Sequence, residues 1–285
     1  MSVDIIQDRL RSYNCQNLQE EEHALREMTQ EVILAGLARS DFFKYAEFHG
    51  GTSLRIFHGT NRFSEDLDFV LMKQSADFSL EKYIQAAVRE LDAYGYQFEI
   101  TDKSKATSVV KKAFIKDDSI GKILEFDYIQ VNPSMKKIKI KLEVDTNPPQ
   151  GSGYVSKYLT FPFPASIRVH DKESLFAGKM HALLCREYIK GRDWYDLIWF
   201  CTNRVDVNYG LLSSALNQSG PWEKKGVIVS NNWCFDELRK KIESLNWDDA
   251  KNDIYPFVRD YERPSIEVWS KEFFLDLVGK YLQEK

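Results

Sequence analysis

Residues 48–69 read FHGGTSLRIFHGTNRFSEDLDF. Just upstream, FKYAEFHGG is a short strand running into a glycine turn, and TSLRIFHG is long enough for about two helical turns closed by Gly59. After a polar loop carrying Arg62 and Ser64, EDLDFVL is a strand. Side chains two apart on a strand share a face, so Asp66 and Asp68 project one way and Leu67 and Phe69 the other. Two carboxylates on one face repel unless a cation sits between them. Magnesium fits that position because it prefers oxygen ligands and bridges carboxylates to substrate phosphates. Gly50, Gly51, Thr52 and Ser53 form the matching cradle, since glycine admits phosphate close to the backbone and N–H groups at a helix start bind anions. Arg62 and Ser64 are further candidate nucleotide contacts. Taken singly, these features are a turn and a solvated strand face. Their order, strand, Gly-Gly-Thr-Ser, short helix, loop and Asp-x-Asp, points to a metal-bound nucleoside triphosphate.

The rest of the chain sets bounds on that reading. With 285 residues and 43% hydrophobic content it can bury a full core, and two domains are expected. MSVDIIQDRL has no apolar core flanked by basic residues, and no apolar run is long enough to cross a bilayer, so a cytoplasmic protein without a membrane partner is expected. Cys15, Cys185, Cys201 and Cys234 are far apart and suggest neither a zinc site nor a disulfide framework; they read as buried thiols. A formal charge of −4 neither supports nor excludes RNA, which would need a local patch. Lys103, Lys105, Lys111, Lys112 and Lys116 are such a cluster, or an ordinary solvated surface.

Along the first half, NLQEEEHALREMTQEVILAGLARS has the spacing of an amphipathic helix with acidic residues at its start. LEKYIQAAVRELDAYGY repeats that spacing, and KILEFDYIQV and KKIKIKLEVDTNPP alternate as strands before a Pro-Pro stop. After about residue 165, DKESLFAGKMHALLCREYIKGRDWYDLIWFC reads as two helices broken at Gly191, and FDELRKKIESL and SIEVWSKEFFLDLVGKYL continue the helical pattern. The closely spaced prolines of FPFPAS mark the expected linker. The fold class is therefore α+β: a mixed-sheet domain with an N-terminal helical region over 1–164, followed by an α-helical domain over 165–285 that completes the active site.

A third carboxylate is expected on a neighbouring strand if two metal ions are used. In KIKIKLEVDTNPP, Ile138, Ile140, Leu142 and Val144 face one way and Lys139, Lys141, Glu143 and Asp145 the other. Asp145, last before the turn, is the candidate metal ligand; it could equally cap the turn, and Asp127 in LEFDYI is a rival. Lys179 lies in a mostly apolar helix between Phe176 and Met180, where an ammonium needs an anionic partner such as a triphosphate, or a route to water. Asp193 and Asp196 share a helical face and can hold Lys179 and Arg192 in place, accept a proton, or simply charge the helix start.

HGGTSLRIFHGTNRFSEDLDF, Lys179 in LFAGKMHALL, and GRDWYDL together resemble the successive motifs of the AbiEii family of nucleotidyltransferase toxins, with its mycobacterial MenT relatives, in the DNA polymerase β-like superfamily. The resemblance runs from about residue 45 to about residue 200, and WDDAKNDIYPFV is similar to the family's C-terminal segment. It places the first motif on Gly51, Ser53, Asp66 and Asp68, the lysine motif on Lys179 and the Arg-Asp motif on Asp193. Thr52-Ser53 stands where the wider superfamily has Gly-Ser, and the third acidic position matches less closely.

The resemblance implies a polymerase β-like nucleotidyltransferase domain followed by helices. It implies the toxin of a toxin–antitoxin or abortive-infection system, an enzyme that uses Mg²⁺ and a nucleoside triphosphate, with tRNA 3′ ends as acceptor in some relatives and a cognate antitoxin as partner. Asp66, Asp68, Lys179 and Asp193 would be its catalytic residues. Two other readings stay open: the same chemistry on a small-molecule or protein hydroxyl, and a catalytically silent nucleotide-binding module.

Overall fold

The computed structural model of the chain describes residues 2–102, 119–127 and 138–283, and these divide into two compact units. The first comprises Met1–Phe57, Phe63–Pro148 and Val155–Val169; the second comprises His58–Arg62, Pro149–Tyr154 and His170–Lys285.

The first unit is built on a seven-stranded sheet. In chain order its strands are β1 (Ala46–His49), β2 (Leu67–Leu71), β3 (Gln97–Asp102), β4 (Ser119–Asp127), β5 (Ile138–Asp145), β6 (Tyr154–Leu159) and β7 (Ala165–His170). They lie side by side as β3-β4-β5-β2-β1-β7-β6. The sheet is mixed: β2 runs parallel to β5 and β1 parallel to β7, while β1/β2, β3/β4 and β4/β5 are antiparallel. The strand carrying Asp68 is thus interior to the sheet, between β1 and β5, and Asp66 immediately precedes it. Its apolar alternation decides which face is buried, because Leu67, Phe69 and Leu71 are all but inaccessible, as are Ile138, Ile140, Leu142 and Val144 on β5.

That buried face packs on α2 (Leu18–Arg39) and α4 (Glu81–Ala93) in one hydrophobic core. Phe69 sits at its centre, 4.9 Å edge-on from Phe42 and 5.2 Å from Phe48, and Phe42 also meets Tyr83 at 5.1 Å. The Asn17 side chain caps α2 by accepting from the Glu20 N–H at 2.9 Å. The expected amphipathic helix is instead buried almost all round. Its polar residues are covered and paired: Glu31 with Arg9 of α1 (Ser2–Ser12) at 3.2 Å, and Glu27 with Arg55 at 2.6 Å and the Tyr13 hydroxyl at 2.9 Å. Burial pushes the Glu31 carboxyl up to about 7, partly opposed by Arg9.

The prolines of FPFPAS do not form an interdomain linker. They lie in the turn from β6 to β7, so residues 165–170 are a strand of the sheet, with Ile167 and Val169 fully buried and Phe48 paired with Val169.

The second unit is helical. Its longer helices are α5 (Lys172–Cys185), α6 (Gly191–Thr202), α7 (Tyr209–Gln218), α8 (Asn231–Ser244), α9 (Trp247–Ile254) and α11 (Lys271–Gln283), with the five-residue α10 (Arg263–Glu267) before the last. Phe176 stacks on Phe200 at 4.4 Å, and Trp194 packs on Trp247 and Phe274 at 5.1 and 5.3 Å. Gly191 does not break a helix but begins α6. A Cβ there would lie 2.0 Å from the Ala250 carbonyl oxygen, so glycine is required by the approach of α9. Among the described residues the four cysteines form no disulfide; Cys201 and Cys234 are buried, whereas Cys15 and Cys185 are only half-buried. Among the described residues no helix is long and apolar enough to cross a membrane.

Truncating Phe69 removes the ring on which three aromatic partners converge, so Phe69→Ala is expected to destabilise the first unit by about 3–5 kcal/mol. Tyr158→Ala, at a ring 73% exposed, is expected to stay within about 0.5 kcal/mol of wild type. Urea midpoints read by circular dichroism check both values.

Candidate active site

In the first unit, β1 passes into α3 (Gly50–His58) without an intervening loop. The turn is made at Gly50, whose φ of +78° lies in the left-handed region. A Cβ at Gly50 would stand 2.6 Å from Asp68 Oδ2, so the Asp68 carboxylate is pressed against the glycine itself. The first N–H groups of α3 come from Gly50, Gly51, Thr52 and Ser53, and the first four N–H groups of a helix have no intrahelical partner. The Thr52 hydroxyl donates to the Asp66 carbonyl and ties the acidic strand to the glycine turn. Ser53 is fully buried, and its hydroxyl has no hydrogen-bond partner. An uncompensated buried hydroxyl at a helix start beside a carboxylate fits an anion delivered with a cation.

The register places the acids. His49 pairs with Asp68 across β1 and β2, and Asp68 pairs with Glu143 across β2 and β5, so His49, Asp68 and Glu143 form a row on the face opposite the core. Asp145 is level with Val70, one pleat beyond Asp68, and its Oδ1 accepts from the Asn147 N–H at 2.9 Å. Asp145 therefore caps the turn, and Glu143 is the carboxylate beside Asp68. Asp127 ends β4 next to Phe126, the partner of Ile138, which puts it at the far end of β5 from Glu143. Lys141 shares the acidic face and pairs with Glu143. Burial pulls its ammonium down, but Glu143, Asp66 and Asp68 outweigh that and raise it.

No three His, Cys, Asp or Glu side chains among the described residues form a ready-made metal cluster. Asp66, Asp68 and Glu143 offer the oxygen ligands that a hard divalent cation takes together with phosphate oxygens and water.

The second unit contains a buried ionic network. Lys179 Nζ, on α5, lies 2.9 Å from Asp193 Oδ1 and 2.7 Å from Asp196 Oδ2, both on α6. Arg186 Nη1 approaches Asp193 Oδ2 at 2.7 Å, and Arg62 meets Asp196 bidentately through Nε and Nη2, each at 2.6 Å. Three cations thus share two carboxylates, and Lys190 and Arg192 add positive charge nearby. Burial pushes the Asp193 carboxyl up, but Lys179, Arg186 and Lys190 outweigh it and hold it at about 2. Burial and the neighbouring Arg192 and Arg186 bring Lys190 down to about 8.

Of the residues singled out from sequence, Gly50, Gly51, Thr52, Ser53, Asp66 and Asp68 come together in the first unit, and Lys179 with Asp193 in the second. Arg62 is placed differently from a nucleotide contact. It is 1% exposed, and two of its nitrogens are engaged by Asp196. The loop between the two motifs is short enough to have suggested a nucleotide contact, but a bidentate partner 134 residues away was invisible in the chain. Ser64 accepts from Gln30 Nε2 through its backbone carbonyl at 3.2 Å, which gives its hydroxyl no assigned task. Glu143 and Arg186 had no assigned role in the sequence reading. Glu143 was signalled by its place on the acidic face of β5, whereas nothing marked Arg186. Lys103, Lys105, Lys111, Lys112 and Lys116 lie outside the described residues.

Because Asp193 is held at about 2 against an ordinary value of 3.8, its ion pairs stabilise fully above about pH 4 and fade as pH falls toward 2. Asp193→Asn is expected to lose about 2 kcal/mol at neutral pH and to flatten that acid limb. Urea midpoints against pH, followed by fluorescence of the buried Trp194, measure the effect.

Two solved structures resemble the whole chain. JHP933 from Helicobacter pylori superposes with a TM-score of 0.51 at 16% identity, covering 92% of this chain and 91% of that one. MenT4, a nucleotidyltransferase toxin from Mycobacterium tuberculosis H37Rv, superposes with a TM-score of 0.50 at 15% identity, covering 96% and 99%. At such identity the likeness speaks to the fold, and no curated protein matches in sequence. The family described as "Nucleotidyl transferase AbiEii toxin, Type IV TA system" matches residues 32–276. The chain therefore belongs to the AbiEii family of nucleotidyltransferase toxins of type IV toxin–antitoxin systems.

Proposed function

We propose that this AbiEii-family toxin transfers a nucleotide from a nucleoside triphosphate to an acceptor hydroxyl with Mg²⁺, and that the acceptor is the 3′ end of tRNA. The observation that carries the reading is the contact between Gly50 and the Asp68 carboxylate, with Ser53's uncompensated hydroxyl in the first turn of the same helix. Asp66 and Asp68 hold the ion, with Glu143 as the third carboxylate in preference to Asp145, because Glu143 is level with Asp68. Bound there, magnesium would polarise the phosphate and neutralise its charge.

The N–H groups of Gly51, Thr52 and Ser53 would grip the outer phosphates, and in the second unit Lys179 is the proposed catalytic cation. Asp193 and Asp196 orient Lys179. With its carboxyl held at about 2, Asp193 is a poor proton acceptor and acts by position. Arg62 serves the same end through Asp196 rather than by touching nucleotide. The acceptor oxygen bonds to the α-phosphorus as the bond to pyrophosphate breaks, and the hydroxyl proton passes to solvent water.

The RNA acceptor is supported by the resemblance and by local charge. Arg186 lies 5.6 Å over the exposed ring of Tyr188, and the charges of Arg186 and Arg192 act on Lys190, a combination suited to phosphates and an unstacked base. The division of labour follows two proposed domains, a nucleotidyltransferase domain and then a helical one, with the boundary moved from 164/165 to the end of β7 because Ala165–His170 is a strand of the sheet. The family implies a cognate antitoxin as partner. We place the protein in the cytoplasm, with its nucleotide and tRNA.

Incubation with each radiolabelled nucleoside triphosphate, Mg²⁺ and total cellular RNA is expected to label RNA of tRNA size, and Asp66→Asn is expected to abolish labelling while circular dichroism stays unchanged. Label on a small molecule or protein instead would move the acceptor. Wild-type labelling by Asp66→Asn would sink the assignment.

A further inference from the structure

We propose that Lys141 is a resident counter-cation of the acidic row: its ammonium occupies the electrostatic place of the divalent ion in the metal-free protein and must be displaced when metal binds. This rests on the reading of Asp66, Asp68 and Glu143 as metal ligands.

The geometry begins with register. Asp68 is level with Glu143 and Leu67 with Leu142, so continuing the parallel pairing one step sets Asp66 beside Lys141. Alternation puts Asp68, Lys141 and Glu143 on one face, away from the buried Leu67, Leu142 and Val144, and Asp66 immediately precedes β2. Three carboxylates on adjacent strands cannot all ionise cheaply without an opposite charge among them. Lys141 supplies one. Its side chain is only 24% exposed and is ion-paired with Glu143, which is itself 20% exposed. The charges of Asp66 and Asp68 also act on it. Lys139, two residues earlier on the same face, is exposed, so position along the strand rather than residue type draws Lys141 into the acids.

A divalent ion brings two positive charges to the three carboxylates where Lys141 brings one. The ion and the ammonium then compete, because each gains from the same carboxylates and repels the other. Lys141 therefore stabilises the empty site and weakens its metal affinity.

The test uses the full chain without nucleotide, with Mn²⁺ as the probe for the Mg²⁺ site, followed by calorimetry and by thermal unfolding in EDTA or Mn²⁺. Lys141→Met is expected to bind Mn²⁺ about tenfold more tightly than wild type, to melt below wild type in EDTA, and to recover that deficit at saturating Mn²⁺. Lys141→Arg, which keeps the charge, is expected to follow wild type in both. Unchanged or weaker Mn²⁺ affinity in Lys141→Met, or an unchanged melting point in EDTA, overturns the proposal. If Lys141→Met fails to fold in EDTA, folding on addition of Mn²⁺ supports the proposal and failure to fold contradicts it. Asp66→Asn separates the two levels. Wild-type Mn²⁺ binding by Asp66→Asn removes the metal site itself, whereas lost binding there with no tightening in Lys141→Met removes only the role of Lys141.

Discussion

Like-charge crowding on one face of a sheet is the constraint around which the first unit is arranged. The pairing of β1, β2 and β5 fixes His49, Asp68 and Glu143 in a row, and the absence of a Cβ at Gly50 lets the Asp68 carboxylate settle against the start of α3. Neither acid can turn away, because the alternate residues on each strand are committed to the core. The fold thus holds a local excess of negative charge beside the donors of a helix N-terminus. That pairing of opposites accommodates a metal–triphosphate better than it does either component alone.

The second unit holds the complementary arrangement. Asp193 and Asp196 are each shared by two cations, with Lys179 common to both. Burying charges is costly, and the bidentate Arg62–Asp196 geometry with short contacts is what offsets it. The surplus of cations leaves room for an incoming anion. Holding Asp193 ionised ensures that Lys179 stays positioned over the whole range of physiological pH.

The sequence disclosed most of what is local. Gly-Gly-Thr-Ser, Asp-x-Asp and the apolar alternation of β2 and β5 are short-range patterns whose physics acts within a few residues, and the family match extends them over most of the chain. What stayed hidden depends on distant partners. Glu143 gained its place from parallel register, Arg62 from an aspartate on α6, and β7 from six residues too few to declare a period. The burial of α2 was misread because Arg9, Arg55 and Tyr13 cover polar residues that a single helix would turn to water. Gly191 looks in the sequence like a break, and only the neighbouring Ala250 carbonyl explains it.

The most direct test of the central claim is anomalous diffraction from crystals grown with Mn²⁺ and a non-hydrolysable nucleoside triphosphate. The account predicts a manganese peak within coordinating distance of the Asp66 and Asp68 carboxylates, with phosphate oxygens completing its shell and the outer phosphates on the first turn of α3. A manganese peak away from these carboxylates, or a triphosphate bound elsewhere than at Gly50–Ser53, would contradict it.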